Sequence, residues 1–330
     1  MNAVIAAADG SALLASGNVG FLIHSTDSGQ SWSPLPVEWR QPMVPANIFS
    51  LILAPDAKTP IGAGPPGTLT RSSDDGRSWQ VVHDTFFEQG SIFSQVLLDD
   101  RREAVLSFET KGDVFRSEDN GATWSKTGLT LDKTLLRIGL ANPATGSIVL
   151  AGKGGQILRS SDQGKSWSKL ELGAECNLFG AWLDPASGAM LLVGEGGVIL
   201  RSEDGGLRWQ RIESPVSDSV LLSVLADPVS GALLISGRGG VLLRSMDGGR
   251  QWLQVNSGTQ EDLRQLLLEP RTQHVFAVGR GGTILRSRDG GLSWQAVPSH
   301  TRSHFRSARF DPRSGALIAV GERLVVLTPQ

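Results

Sequence analysis

The sequence predicts an all-β propeller built from four-stranded antiparallel blades. Three observations predict it: a nonapeptide that recurs seven times, a near-constant spacing between copies, and four short apolar runs with turn chemistry in each interval. The nonapeptide reads Arg or His, then Ser-x-Asp-x-Gly-x-x-Trp. Its aspartates are Asp27, Asp74, Asp119, Asp162, Asp204, Asp247 and Asp289, and its tryptophans are Trp32, Trp79, Trp124, Trp167, Trp209, Trp252 and Trp294. The tryptophans are separated by 47, 45, 43, 42, 43 and 42 residues, which is the mark of a repeat architecture.

The box explains itself as a brace for a hairpin. An apolar run such as Val241-Leu242-Leu243 arrives as a strand. The Asp carboxylate then accepts backbone N–H groups of the turn that follows. Glycine supplies the freedom a tight turn needs. Trp opens the next strand and buries a large apolar body, with its indole N–H in need of a partner. Seven equivalent carboxylates spread around a repeat cannot converge on one substrate, so a structural role is favoured over catalysis or metal binding.

The unit from Val220 to Asn256 shows the pattern most clearly. Leu221–Ala226 reads as a first strand, and Asp227-Pro228-Val229-Ser230-Gly231 as a turn. Ala232–Ser236 is a second strand and Gly237–Gly240 a second turn. Val241–Ser245 is a third strand, turned by the box into a fourth from Trp252 to Val255. Counterparts of the first turn are 142–146, 184–188 and 311–315; those of the second are 152–155, 194–197 and 279–282. The units around 60–67 and 99–113 follow more loosely. No segment reads as a helix. Residues 34–46 and 83–90 read as irregular loops that lengthen the first two intervals.

After Trp294 come three further strands, 305–310, 316–320 and 323–327, with no box. Eight starts and seven finishes favour eight blades, the last lacking its fourth strand or taking it from an upstream segment. Seven blades is the alternative, if the terminal units merge. The repeats run the whole length, so residues 1–330 form one expected domain. The chain begins almost inside its first strand, which points to a leader or closing strand upstream. Residues 1–17 carry no basic segment of a signal peptide.

Bulk properties exclude several function classes. A net charge of −2 gives no global field for nucleic acid or an anionic membrane. Nucleic-acid binding would also need exposed aromatics on a basic face, and these tryptophans are committed to the fold. No run of about 20 apolar residues is present to insert in a bilayer. Cys176 is the only cysteine, so no intrachain disulfide is possible, and it reads as a small core residue. The five histidines form no metal-ligand pattern. No metal or cofactor is expected.

The recurring Ser-x-Asp-x-Gly-x-x-Trp resembles the Asp box, or BNR repeat, of sialidases, sortilin-type receptors and the photosystem II stability/assembly factor family. The Asp-Gly-Gly boxes, Gly-x-Gly-Gly turns and three-strand remnant at 305–327 are most similar to the assembly-factor family. That resemblance implies a non-catalytic propeller in an extracytoplasmic, periplasmic space that assists assembly or operation of a membrane-protein complex, including exporters. The chain departs from it by carrying a box in seven units and by lacking a leader.

A sialidase-like or glycan-binding propeller is the alternative. The sialidase mechanism uses a Tyr nucleophile, and this chain has no Tyr. Other glycosidases need a carboxylate pair. Glu88, Glu109, Glu171, Glu175, Glu195 and Glu322 are available, but nothing in the sequence pairs them. The expected protein is therefore a monomeric, non-enzymatic scaffold for a protein partner, an integral-membrane complex being the candidate.

Propeller geometry places the second turns and the starts of the inner strands on one face, opposite the boxes. The equivalent turn positions are Asn18, Lys153, Glu195, Arg238, Arg280 and Glu322. Inner strands add Arg137, Arg264, Arg306 and Arg309. Lys153, Arg238, Arg280, Arg137, Arg264 and Arg306 form a candidate cationic arc for carboxylates or phosphates of a partner. Arginine at the head of six boxes is expected to pair with the neighbouring blade or to pack its stem on Trp.

Overall fold

In the computed structural model the described residues are 1–7, 10–18, 21–35, 37–38, 48–64, 67–84, 93–98, 104–109, 112–127, 135–170 and 176–328. The fold is an all-β propeller, with eight successive antiparallel sheets as its blades. The blades fall into two compact units, Met1–Gly173 and Ala174–Gln330.

The first unit holds blades one to four. Their opening strands are Ala3–Ala6, Ser50–Leu53, Phe93–Leu98 and Leu136–Ala141. Each sheet runs outward in chain order. Blade two carries an addition that the sequence does not announce. The short strand Val37–Glu38 pairs in parallel with Trp79–Gln80, within the stretch expected to be an irregular loop. The strand Trp79–Asp84 likewise runs into the second expected loop. Pro34 ends the strand Ser33–Pro34, while residues 36, 39–46 and 85–90 of the two loops, and residues 65–66, 99–103 and 110–111 of the two looser units, lie outside the described residues.

The second unit holds blades five to eight. Blade six consists of Leu221–Ala226, Leu233–Gly237, Leu242–Ser245 and Leu253–Val255, within a residue of the expected bounds. Blade eight consists of Phe305–Phe310, Leu317–Gly321 and Leu324–Leu327, and has three strands. The count of eight starts and seven finishes is therefore realised in the sheets.

The core lies between blades, because each sheet is apolar on both faces. In the second unit, Leu191, Val193 and Ile199 of blade five meet Leu221, Leu233, Ile235, Leu243 and Trp252 of blade six. Second strands are buried throughout, as in Leu233–Gly237 and Val275–Gly279.

The box has one geometry in all seven copies. In the fifth, the Ser202 hydroxyl donates to Asp204 Oδ1 at 2.9 Å and accepts the Gly206 N–H at 2.9 Å. The Arg208 N–H donates to Asp204 Oδ1 at 2.9 Å, and the Trp209 indole N–H to the Gly206 carbonyl at 3.1 Å. The glycine two residues after the box Asp takes positive φ in every copy. Gly291 has φ +83°, and a Cβ there would lie 2.4 Å from Leu234 of the preceding blade.

One expectation needs revision. Trp79 and Trp252 are buried, but the other five box tryptophans, Trp209 among them, are half-buried. Trp124, Trp167 and Trp294 pack as partly buried residues against interblade clusters. The box arginines connect neighbouring blades, as expected. Nε donates to the carbonyl of a positive-φ residue in the next box: Arg71 to Asn120 at 2.9 Å, Arg116 to Gln163 at 3.1 Å, Arg201 to Gly248 at 2.8 Å, and Arg244 to Gly290 at 2.7 Å.

Candidate binding surface

The Gly-x-Gly-Gly segments close as tight turns at Lys153–Gly155, Glu195–Gly197, Arg238–Gly240 and Arg280–Gly282. The last two glycines of each take positive φ. At Gly240, φ is +74° and a Cβ would sit 2.0 Å from the Thr259 carbonyl oxygen. The turn is therefore held against the link to the next blade, and its first residue is pushed into solvent. Lys153, Arg238 and Arg280 are all exposed.

A feature that sequence reasoning missed positions the inner arginines. The opening strand of most blades carries a β-bulge after its first residue. The register skips Arg137, Arg264 and Arg306, so each is the unpaired bulge residue of its blade. A bulge bends the strand and re-aims the extra side chain. Its only trace in the sequence is a break in the inward–outward alternation near the strand start, as in Leu221-Leu222.

In the second unit, turn and bulge combine. The Arg238 turn packs on the strand Leu263–Leu268, and the Arg280 turn on Phe305–Phe310. Arg238, Arg264, Arg280 and Arg306 lie close enough to act on one another. Burial, then Arg306, Arg280 and Arg238, hold the Arg264 guanidinium below its ordinary pKa, with Asp262 opposing. Asp262 serves the turns as well: Oδ1 accepts the Gly239 N–H at 3.1 Å, and Oδ2 lies 3.7 Å from Arg280. Four guanidinium groups face Asp262, and the Glu261 carboxylate lies against the Gly281 turn; four cations against two carboxylates leave a local excess of positive charge on a chain whose net charge is −2.

Arg137 and Lys153 form the same bulge-and-turn pair in blade four of the first unit, both exposed. Glu195 braces its own blade, accepting the Asn177 N–H at 3.2 Å and its side-chain amide at 2.9 Å. Glu322 accepts the His304 N–H at 3.2 Å. Arg309 is the fifth residue of its six-residue strand, well away from the bulge at Arg306.

Of the carboxylates considered for hydrolysis, Glu109 is fully buried, and Glu88, Glu171 and Glu175 lie outside the described residues. Cys176 is half-buried, and burial pushes its thiol pKa up. Among the described residues, no group of three or more His, Cys, Asp or Glu is placed to hold a metal ion. No helix of the described residues is long and apolar enough to cross a membrane.

No protein-family model and no curated protein sequence matches the chain. Solved structures do. The structure described as YCF48 bound to D1 peptide is 22% identical, with a TM-score of 0.64, covering 86% of this chain and 94% of that one. YCF48 from Cyanidioschyzon merolae is 18% identical, with a TM-score of 0.63 over 88% and 99%. Chaetomium thermophilum Sqt1 bound to the N-terminus of the ribosomal protein L10 is 12% identical, with a TM-score of 0.72 over 96% and 93%. At these identities the likeness establishes the fold.

Proposed function

We propose that this chain is a non-catalytic propeller scaffold that holds an acidic segment of a protein partner on the turn-and-bulge surface of its second unit. The observation that carries the reading is the convergence of Arg238, Arg264, Arg280 and Arg306, four guanidinium groups against Asp262 and the neighbouring Glu261. Guanidinium forks bind carboxylates with two parallel hydrogen bonds, so such a group selects Asp- and Glu-rich peptide or a chain-terminal carboxylate. Structures of like fold hold short protein segments: D1 peptide on YCF48 and the L10 N-terminus on Sqt1.

The finer reading follows the sequence resemblance. The partner belongs to a membrane-associated complex whose assembly or operation the propeller assists, and the setting is extracytoplasmic. Affinity capture from native membranes tests both, using intact protein beside Arg238→Glu/Arg280→Glu protein. The reading expects one set of membrane-complex subunits on the intact bait and their loss, by tenfold or more, from the variant. Equal capture by both baits would overturn it.

A further inference from the structure

The last interblade layer is incomplete in three respects that coincide. Its outermost strand, Leu324–Leu327, pairs only with Leu317–Gly321 among the described residues, whereas every other blade has a fourth strand at that edge. The edge reads Leu-Val-Val-Leu and carries no charge, proline or bulge to block pairing. Second, Nε of Arg286 is buried and has no hydrogen-bond partner among the described residues. The same atom of Arg71, Arg116, Arg201 and Arg244 donates to a box carbonyl of the next blade, and blade eight has no box. Third, a cavity of about 510 Å³ opens beside Arg286, with an apolar wall that includes Phe276, Phe310 and Leu327 and a polar rim that includes His274, Arg288 and His300.

The preceding layer shows what such a space holds. There Leu234, Leu266 and Val275 are covered by Trp294, with Val255 and Leu268 beside it. In the last layer Phe276, Val297 and Phe310 stand at the positions of Leu234, Val255 and Leu268, and no tryptophan follows. Phe276 and Phe310 meet edge to face at 5.1 Å and take up part of the vacated volume. The remainder suits an aromatic side chain.

We propose that an extended peptide of a protein partner, bearing an aromatic anchor, adds to the edge of Leu324–Leu327 as the fourth strand of blade eight. Its aromatic ring enters the cavity, and one of its backbone carbonyls accepts the Arg286 Nε–H. A small ligand would fill the space alone. A strand also satisfies the open backbone edge and the orphaned donor, and strand addition is an established mode of peptide recognition. The site is distinct from the arginine surface at the turns.

The test uses the full chain and a synthetic dodecapeptide with the sequence of residues 287–298, Ser-Arg-Asp-Gly-Gly-Leu-Ser-Trp-Gln-Ala-Val-Pro, which is the chain's own last box and fourth strand. Binding is read by isothermal titration, and its location by amide deuterium exchange. The proposal expects saturable binding that slows exchange at residues 324–328 and weakens about tenfold or more when the peptide's Trp is replaced by Ala. Arg286→Lys protein should weaken it similarly, since Lys keeps the charge and loses the Nε geometry. If that variant fails to fold, the peptide substitution and the exchange map still decide, because both use unaltered protein. Arg238→Glu/Arg280→Glu protein should bind the peptide as before. Absence of binding at millimolar peptide, or binding indifferent to the Trp, would overturn the proposal. So would protection of residues 324–328 by self-association of the chain without peptide, which would make the occupant a second copy.

Discussion

Replacing Trp252 with Ala tests whether the box holds blades together. Trp252 is 5% exposed and packs in the layer with Leu233, Ile235, Leu243 and Leu191. Its indole N–H donates to the Gly249 carbonyl at 3.1 Å. Truncating a buried tryptophan costs about 3–5 kcal/mol, and the lost hydrogen bond contributes roughly 1 kcal/mol of that. Trp294 makes the same hydrogen bond, to Gly291 at 3.2 Å, but is half-buried, so Trp294→Ala should cost roughly 2 kcal/mol, about half as much. Urea melts followed by far-ultraviolet circular dichroism read both. With a slope of about 2–3 kcal/mol per molar urea, Trp252→Ala lowers the midpoint by about 1.5 M and Trp294→Ala by about half that. Equal losses, or a loss under about 1 kcal/mol for Trp252→Ala, would refute the claim that burial between blades is what the tryptophan contributes.

Other outcomes follow from the same geometry. Asp119 and Asp204 are each pushed up by burial, but hydrogen bonds outweigh it and hold them at about 2, as the Ser31 hydroxyl and N–H and the Ser25 hydroxyl do for Asp27. A depressed folded pKa means that this stability is fully present above about pH 4 and is lost as the pH falls toward 2; acid titration of circular dichroism should show the loss in that window, and Asp204→Asn should lessen it. Gly240→Ala places a Cβ against the Thr259 carbonyl at positive φ, and should cost about 1–3 kcal/mol in a thermal melt, against little change for Gly231→Ala relative to its φ alone, since nothing lies within 4 Å there. Arg244→Lys removes the 2.7 Å link from Nε to the Gly290 carbonyl and should cost about 1–2 kcal/mol, read in the same melts. Capture of an acidic partner on the arginine surface should weaken steeply between 50 mM and 500 mM salt, because those charges are largely exposed.

The repeat in the sequence determined the fold class, the blade boundaries and the unfinished eighth sheet. Those features are local. A Ser, an Asp and a glycine close a turn through hydrogen bonds four residues apart, and each copy does so wherever it stands. The expected strands of blade six lie within one residue of the observed ones for that reason. The interiors of the two long loops carried no such signature, and the parallel strand Val37–Glu38 went unread because its partner, Trp79–Gln80, is some forty residues away.

What only the tertiary structure decided is where side chains end once blades pack together. The bulge that turns Arg264 and Arg306 outward depends on register between two strands. The gathering of four arginines depends on one blade's turn resting on the next blade's opening strand. The orphaned Arg286 Nε and the cavity beside it arise because each box completes the layer of the blade before it. Charge and packing of this kind act across roughly forty residues of chain, where a pattern read along the sequence has no reach and distance in space is the governing quantity.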